Sequence, residues 1–260
     1  TSGNINFIQN ETYVMDFNSQ TPKVSTGEKL ALLIDQAVED LRAQDAPRNY
    51  LGGSRIGEAC PRKLQYEFFN TPKDKPFSGR ILRVFQRGHE GEIWMANWLR
   101  LAGFDLRTER QDGQQFAFST AKGQLRGHAD GVFVAGPPEF GPYPRLWENK
   151  VLGAKGWKNL AREHTKKAYP VYYGQMQLYM AYFELTENPA LFTALNADTM
   201  EIYAENIIFN AGFAQDLSDK AVNILSACAA GELLPRIANR EDWFECKWCD
   251  YWERCWHGNI

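Results

Sequence analysis

Two acids and a lysine have residue types and spacing that suit metal-dependent chemistry. Asp130 lies in the strand-like segment GHADGVFV, and Glu148 and Lys150 follow in the strand-like segment RLWENKVL. Side chains two residues apart on a strand share a face, so Glu148 and Lys150 should be adjacent, with Asp130 beside them if the segments form a hairpin. Paired carboxylates repel unless a divalent cation such as Mg²⁺ or Mn²⁺ neutralises them. The pattern predicts a metal site whose lysine orients a water for phosphodiester hydrolysis.

A histidine further upstream is a candidate additional ligand. In the segment RGHEGE, His89 and Glu92 are one helical turn apart on neighbouring parts of one surface. A neutral imidazole would favour Mn²⁺ alongside Mg²⁺. The alternative is a surface histidine in a charged stretch. Because Asp-x17-Glu-x-Lys also occurs by chance on solvated strand faces, these motifs have weight only together.

The segment QMQLY places an amide and a phenol on one helix face. Gln175 and Tyr179 are four residues apart, so they could line the floor of the same cleft. The alternative is an ordinary amphipathic helix in which the nearby tyrosines only pack. The choice between the two depends on the other motifs.

The five cysteines are unevenly placed. Cys246, Cys249 and Cys255 form C-x2-C-x5-C near the end of the chain, whereas Cys60 and Cys228 stand alone. An odd number without an export signal argues against a disulfide framework, and thiolates at this spacing can converge on one metal or cluster. Four sulfurs alone do not distinguish zinc from iron–sulfur. Cys228, in the apolar segment ILSACAA, is predicted to be a buried core thiol.

The elements that must position these residues follow a mixed order. Ser25 and Glu28 form a capping box that predicts a first helix, with Leu30, Leu33, Ile34, Val38 and Leu41 at helical spacing. Further helices are predicted at about residues 61–70, 80–101, 156–168, 171–185 and 217–233, and strands at about 104–111, 114–120, 125–136, 145–152 and 201–210. This order predicts an α/β (α+β) fold.

The composition is that of a globular protein. The 260 residues are 44% hydrophobic and 23% charged, with a formal net charge of −3, so a sizeable core is expected and any DNA-binding surface must be local. Residues 1–24 are polar and aperiodic. No apolar run approaches a membrane span and no export signal is visible, so we expect a cytoplasmic protein without a membrane partner, in a bacterial, archaeal or phage-infected cell.

Taken in order, GHEGE, GHADG, ENK, QMQLY and the split cysteines resemble the RecB-type branch of the PD-(D/E)XK nuclease superfamily. Cys60 far from a C-terminal C-x2-C-x5-C is similar to its iron–sulfur members, which include AddB nuclease domains and CRISPR-adaptation nucleases. The resemblance spans roughly residues 54 to 256. It implies a restriction-endonuclease-like core, a mixed central sheet flanked by helices, within one domain over 1–260: a helical N-terminal region (1–79), the nuclease core (80–235) and an iron–sulfur tail (236–260).

The resemblance also implies roles for individual residues. The metal ligands would be His89, Asp130, Glu148 and the carbonyl of Asn149. Lys150 would match the catalytic lysine, and Gln175 and Tyr179 would match the Q-x3-Y motif. A [4Fe–4S] cluster would be held by Cys60, Cys246, Cys249 and Cys255. Ala129 stands where many superfamily members have proline. Two extra acids, Glu90 and Glu92, could share or replace the role of the histidine. Six aromatic residues between Trp243 and Trp256 could shield the cluster from solvent.

The expected activity is a Mg²⁺- or Mn²⁺-dependent deoxyribonuclease acting at DNA ends, on single strands or end-containing duplexes. Basic residues flank the motifs and are candidate phosphate contacts: Arg62, Arg83, Arg87, Lys155 and Lys158. A helicase, recombination or integrase partner would supply functions that the chain lacks. One alternative is a CRISPR-adaptation factor that processes protospacers. Another is a catalytically weak DNA-binding adaptor.

Overall fold

The computed structural model describes residues 24–258, so the predicted aperiodic start lies outside the described residues apart from Val24. The helices are α1 (Thr26–Ala43), α2 (Pro61–Phe68), α3 (Gly79–Leu101), α4 (Ala154–Ala168), α5 (Pro170–Tyr182), α6 (Ala211–Ala230), α7 (Phe244–Lys247) and α8 (Trp252–Trp256). The strands are β1 (Leu51–Gly52), β2 (Asp105–Arg107), β3 (Ala117–Thr120), β4 (Leu125–His128), β5 (Gly131–Ala135), β6 (Arg145–Leu152), β7 (Ala190–Asn196) and β8 (Ile202–Ile207).

A mixed five-stranded sheet forms the centre of the fold. Its strand order is β2-β5-β6-β7-β8. Strands β5 and β6 are antiparallel, whereas β6 and β7 are parallel and are connected through α4 and α5. The predicted α/β class, with a mixed sheet flanked by helices, is confirmed.

A second, three-stranded sheet has the order β1-β4-β3 and leads into the central sheet where β4 passes to β5. Its middle strand requires glycine at position 127. A Cβ atom there would lie 2.3 Å from Phe118 and 2.6 Å from Tyr179, so any side chain would displace both rings. The glycine therefore lets α5 pack directly on this strand.

Two apolar clusters cover the two faces of the central sheet. Along β6, Leu146 belongs to the larger cluster with α5 and α6, and Trp147 belongs to the cluster beneath α3. This alternation follows from the two-residue period of a strand. Glu148 has the same parity as Leu146, so its side chain lies on the face covered by α5.

Helix α1 begins as predicted, with both hydrogen bonds of the Ser25–Glu28 capping box present. Its apolar stripe is nevertheless exposed, because the helix packs on α3 through neighbouring positions that include Asp35. The exposed residues are Leu30, Leu32, Leu33, Ile34 and Leu41. Periodicity thus predicted the helix without predicting which of its faces is covered.

Strand β7 is absent from the sequence prediction. Its residues, ALFTALN, are buried along their whole length, so they show no alternation of polar and apolar positions. Alanine and leucine also suit a helix. The strand is a central one because it pairs with β6 on one side and β8 on the other. No helix within residues 24–258 is long and apolar enough to cross a membrane.

Candidate functional site

The β5–β6 hairpin brings Asp130 and Glu148 together. Gly131 pairs with Trp147 in antiparallel register, so the preceding residue, Asp130, lies next to Glu148. The backbone N–H of Asn149 donates a hydrogen bond of 2.8 Å to Asp130 Oδ2. The predicted hairpin neighbourhood is confirmed, and the bond fixes one aspartate oxygen against strand β6.

The lysine joins these two acids. Lys150 Nζ donates to Glu148 Oε1, donates to the carbonyl of Asn149 at 2.8 Å and lies 3.6 Å from Asp130 Oδ2. It also lies 5.4 Å from the centre of the Tyr172 ring, within cation–π distance. Burial disfavours the ammonium, but Asp130 and Glu148 attract it more strongly, so the pKa of Lys150 is raised. Lys150 is therefore positively charged, and its hydrogen bonds hold that charge in place.

Glu148 is completely buried and only half satisfied. Its Oε1 accepts from Lys150 and from Gln175 Nε2, the latter at 2.5 Å, whereas Oε2 has no hydrogen-bond partner among residues 24–258. Burial raises the pKa of Glu148 to about 8, and the charge of Asp130 adds to the effect while Lys150 opposes it. Burying a carboxylate oxygen without a hydrogen-bond donor costs free energy, so Glu148 Oε2 is suited to bind a cation.

Helix α3 contributes Glu92 to this electrostatic group. Burial, followed by repulsion from Asp130, raises the pKa of Glu92 to about 7. The helix approaches closely because Gly91 lies against Val151; a Cβ at Gly91 would lie 2.4 Å from a Val151 methyl group. His89, one turn earlier, is exposed to solvent. The structure thus brings Glu92 rather than His89 towards the two acids.

Two further residues support the site from inside the protein. Tyr179 is buried, and burial together with Glu148 and Asp130 raises the pKa of its hydroxyl. Thr193 on β7 donates to Asn149 Oδ1 at 2.9 Å and accepts from Trp147 Nε1 at 2.9 Å. Sequence reasoning missed Thr193, and no motif marks it, because its role depends on a strand that was not recognised.

The carboxylates of Asp130 and Glu148 supply only part of the ligand set that a divalent cation needs. Within residues 24–258, no three His, Cys, Asp or Glu side chains converge closely enough to hold one ion. Asp130, Glu148 and the Asn149 carbonyl instead offer a small set of oxygens at one point of the sheet. Mg²⁺ is usually held in this way, by one or two carboxylates with water and substrate completing its coordination.

The tail cysteines and Cys60 line one cavity of about 200 Å³. Burial, then the nearby Cys60 and Cys255, raise the pKa of the Cys246 thiol. Cys60 and Cys246, with 185 residues between them in the sequence, thus line the same cavity. Cys228 does not line it; this thiol is half-buried on α6, where Gln65 Nε2 lies 3.8 Å from its sulfur.

The aromatic residues of the tail differ in burial. Tyr251 is buried against Tyr66, and Trp252 and Trp256 are half-buried at the cavity. Phe244 and Trp248 also line the cavity but are each 75% exposed. The expected aromatic shield is therefore incomplete on its outer side.

The predicted basic surface needs correction at Arg62. This side chain is buried, with Nε donating to the Leu234 carbonyl at 2.5 Å and Nη1 lying 3.8 Å from Cys255 Sγ. It faces the cysteine cavity, because α2 follows Cys60 directly and packs beside the tail. A buried arginine cannot contact phosphates from solvent.

The other predicted phosphate contacts lie in different settings. Arg83 forms an ion pair with Asp35 of α1, and Arg87 is half-buried with a partnerless Nε among the described residues. Lys155 and Lys158 are exposed on the first turns of α4, which follows β6. Of the five predicted phosphate contacts, these two lysines are the ones whose side chains are exposed and could contact DNA.

Comparisons with known proteins give similarity of structure only. No protein-family model matches the chain, and no curated protein sequence matches it. The fold is similar to the crystal structure of an alkaline exonuclease (LHK-Exo) from Laribacter hongkongensis, with a TM-score of 0.49 and 18% identity, covering 74% of this chain and 93% of that chain.

Two further solved structures are similar at the same level. LHK-Exo in complex with dAMP has a TM-score of 0.49 and 16% identity, covering 70% of this chain and 89% of that chain. The crystal structure of SSO0001 has a TM-score of 0.46 and 15% identity, covering 89% of this chain and 98% of that chain. All three TM-scores lie below 0.5, so these likenesses assign no role to any residue here.

Proposed function

We propose that this protein is a metal-dependent deoxyribonuclease that hydrolyses phosphodiester bonds at DNA ends. One observation carries the proposal: Glu148 is buried beside Asp130, with one oxygen bound by Lys150 and Gln175 and the other without a partner in the described part of the chain. A structural ion pair would satisfy both oxygens. A carboxylate that is held in place but left open is suited to a metal ligand.

The ligand set would be Asp130, Glu148 and the carbonyl of Asn149, and the nearby carboxylate of Glu92 on α3 would add negative charge that attracts the ion. Burial and mutual repulsion raise the pKa values of Glu92 to about 7 and Glu148 to about 8, and a divalent cation would relieve that repulsion. Oxygen ligands favour Mg²⁺ or Mn²⁺. The bound ion would activate water and polarise the scissile phosphate.

The residues of the chain supply orientation and charge. Lys150, held by Glu148 and the Asn149 carbonyl, would position the attacking water and stabilise negative charge that develops on the phosphoryl oxygens. Gln175 would fix the rotamer of Glu148. Water would form a bond to phosphorus as the bond to the 3′ oxygen breaks, leaving a 5′-phosphate, as the resemblance to RecB-type nucleases implies.

We further propose that Cys60, Cys246, Cys249 and Cys255 hold a structural [4Fe–4S] cluster. Support comes from all four thiols lining one cavity. Zinc bound by the same four thiolates is the alternative, which metal and acid-labile sulfide analysis would separate from the cluster. Arg62 and Arg236 also line the cavity, and their positive charge suits an anionic cluster.

End-labelled single-stranded and duplex DNA, incubated with Mg²⁺, Mn²⁺ or EDTA, would test the activity. We expect stepwise shortening from an end in either metal and none in EDTA. A covalently closed circular substrate is the control, because an exonuclease leaves it intact. Absence of cleavage in both metals would contradict the proposal, and cleavage of the circle would replace the exonuclease with an endonuclease.

A further inference from the structure

The β3–β4 hairpin carries positive charge that no residue of the catalytic site uses. Between residues 113 and 129 the chain contains no aspartate or glutamate, although its overall net charge is −3. Lys122, Arg126 and His128 in this segment are exposed. We refer to these three residues as the hairpin face.

Arg126 is held in place by neutral partners. Its Nε donates to the Gly123 carbonyl at 2.8 Å, and its guanidinium carbon lies 5.0 Å from the centre of the Tyr50 ring. The ion pairs among the described residues do not include it, whereas Arg55 and Arg83, for example, have carboxylate partners. An arginine that is fixed but not neutralised keeps its terminal N–H groups for an anionic ligand.

The hairpin face leads directly to the catalytic acids. Arg126 and His128 lie on one face of β4 because their side chains are two residues apart. The strand pairing continues past the end of β4, where Ala129 N–H donates to the Phe116 carbonyl at 2.9 Å, and Asp130 is the next residue. Asp130 therefore lies two residues beyond His128, at the bend between β4 and β5, so the hairpin face ends next to this acid along the chain.

The opposite strand leaves this surface open. Ala117 pairs with His128 and Ser119 pairs with Arg126, and directly opposed residues of an antiparallel pair share a face. Both opposed side chains are small. An extended polymer could thus lie against the basic side chains without meeting a bulky residue on β3.

We propose that the hairpin face binds the phosphate backbone of the DNA strand whose end occupies the Asp130–Glu148 site. This inference rests on the proposed function, because the catalytic acids define which anionic polymer must pass here. Arg126 would contact a phosphate through its terminal N–H groups, with Lys122 and His128 on either side of it. The contact is to the backbone, so it would position the strand without reading sequence.

The test uses Arg126→Gln, with Arg254→Gln as a matched control. Arg254 is exposed on α8, so the control removes the same charge elsewhere on the surface. Affinity for a long fluorescein-labelled single strand would be measured by anisotropy in Ca²⁺ over a series of salt concentrations. KM and kcat in Mg²⁺ would be measured on the same strand and on a dinucleotide too short to reach the hairpin.

We expect Arg126→Gln to weaken binding of the long strand about 3- to 10-fold and to reduce the salt slope by about one. KM on the long strand should rise by a similar factor with little change in kcat, and the difference should shrink on the dinucleotide. Lys122→Gln should show the same direction. Thermal melting would confirm that each variant is folded.

Equal affinity and salt slope for Arg126→Gln and Arg254→Gln would overturn the inference. Because binding is measured separately from cleavage, the two proposals can fail independently. A wild-type protein that binds DNA through Arg126 but cleaves none in Mg²⁺ or Mn²⁺ would contradict the nuclease and leave the binding surface standing. A wild-type protein that does not bind DNA would overturn both.

Discussion

Gln175 on α5 and Lys150 on β6 donate hydrogen bonds to the same oxygen of Glu148. The other oxygen of that buried carboxylate is left without a partner among the described residues. The rotamer of Glu148, and hence the direction of its open oxygen, is therefore set by a helix and a strand that pack together.

Removing the side-chain amide of Gln175 should let the carboxylate of Glu148 change rotamer. We expect Gln175→Ala to lower Mn²⁺ affinity and cleavage about 10- to 100-fold, the usual cost of losing a group that orients a metal ligand. Calorimetric titration with Mn²⁺ would measure the affinity. Gln177→Ala is the control, because Gln177 is equally buried on α5 but bonds to Ile208 and Asn210 away from the site. Equal losses of affinity in both variants would indicate a general effect on α5.

The metal-free protein should become less stable as pH rises. The carboxyl of Glu148 has an ordinary pKa of 4.5, and the fold raises the pKa to about 8. Between these values the folded state binds more protons than the unfolded state, so raising the pH favours unfolding. We expect Tm in EDTA to fall from a pH of about 5 to about 8 and then to level off.

Glu148→Gln should flatten this dependence, because an amide cannot ionise. Glu92, with a pKa raised to about 7, should account for part of the remaining slope. Added Mg²⁺ should restore Tm most at high pH, where the carboxylates are unprotonated. A wild-type Tm that rises over this range in EDTA would show that the folded-state pKa of Glu148 is not raised.

Glu92 and His89 can be separated by paired variants. Glu92 is half-buried and interacts with Asp130, whereas His89 is exposed, so Glu92→Gln should weaken Mn²⁺ binding more than His89→Gln does. Both substitutions keep a polar side chain of similar size on α3. Mn²⁺ titrations at one pH would compare them. A larger loss with His89→Gln would favour the ligand that the family resemblance implies.

The cysteine cavity provides an independent test. With a [4Fe–4S] cluster, anaerobically purified protein should be brown, and Cys249→Ala should lose the colour and stability because the link between residue 60 and the tail opens. Cys228→Ala should keep the colour and cost about 1 kcal/mol of stability, since its thiol lies outside the cavity. Metal and acid-labile sulfide analysis would accompany the spectra. A colourless protein with one zinc and no iron would exclude the cluster.

Strand alternation in the sequence predicted that Glu148 and Lys150 share a face, because the side-chain period of a strand is two. The place of Asp130 beside them depended on a hairpin that the sequence offered only as a condition, and the pairing of β5 with β6 supplies it. Strand β7 could not be predicted in this way. Burial on both faces removed the alternation that would have marked it, and Thr193 was missed with it.

The periodicity of apolar residues predicted where helices lie better than it predicted which side of each helix is covered. His89 and Glu92 are close together on α3, and the contact between Gly91 and Val151 determines which of them approaches the acids. The same limit applies to Arg62, which was predicted to contact phosphate because it is one of the basic residues that precede the segment RGHEGE. Only the packing of α2 beside the tail shows that it faces the cavity.

Glu148 is the residue on which the proposed hydrolysis depends most directly. The decisive measurement is single-turnover cleavage of end-labelled DNA by wild type and Glu148→Gln in Mg²⁺, with DNA affinity measured on the same preparations. We expect cleavage to fall at least about 100-fold, as for the loss of a group that stabilises the transition state, while affinity changes less than about twofold. A folded Glu148→Gln variant that cleaves DNA at the wild-type rate would contradict the assignment of this site.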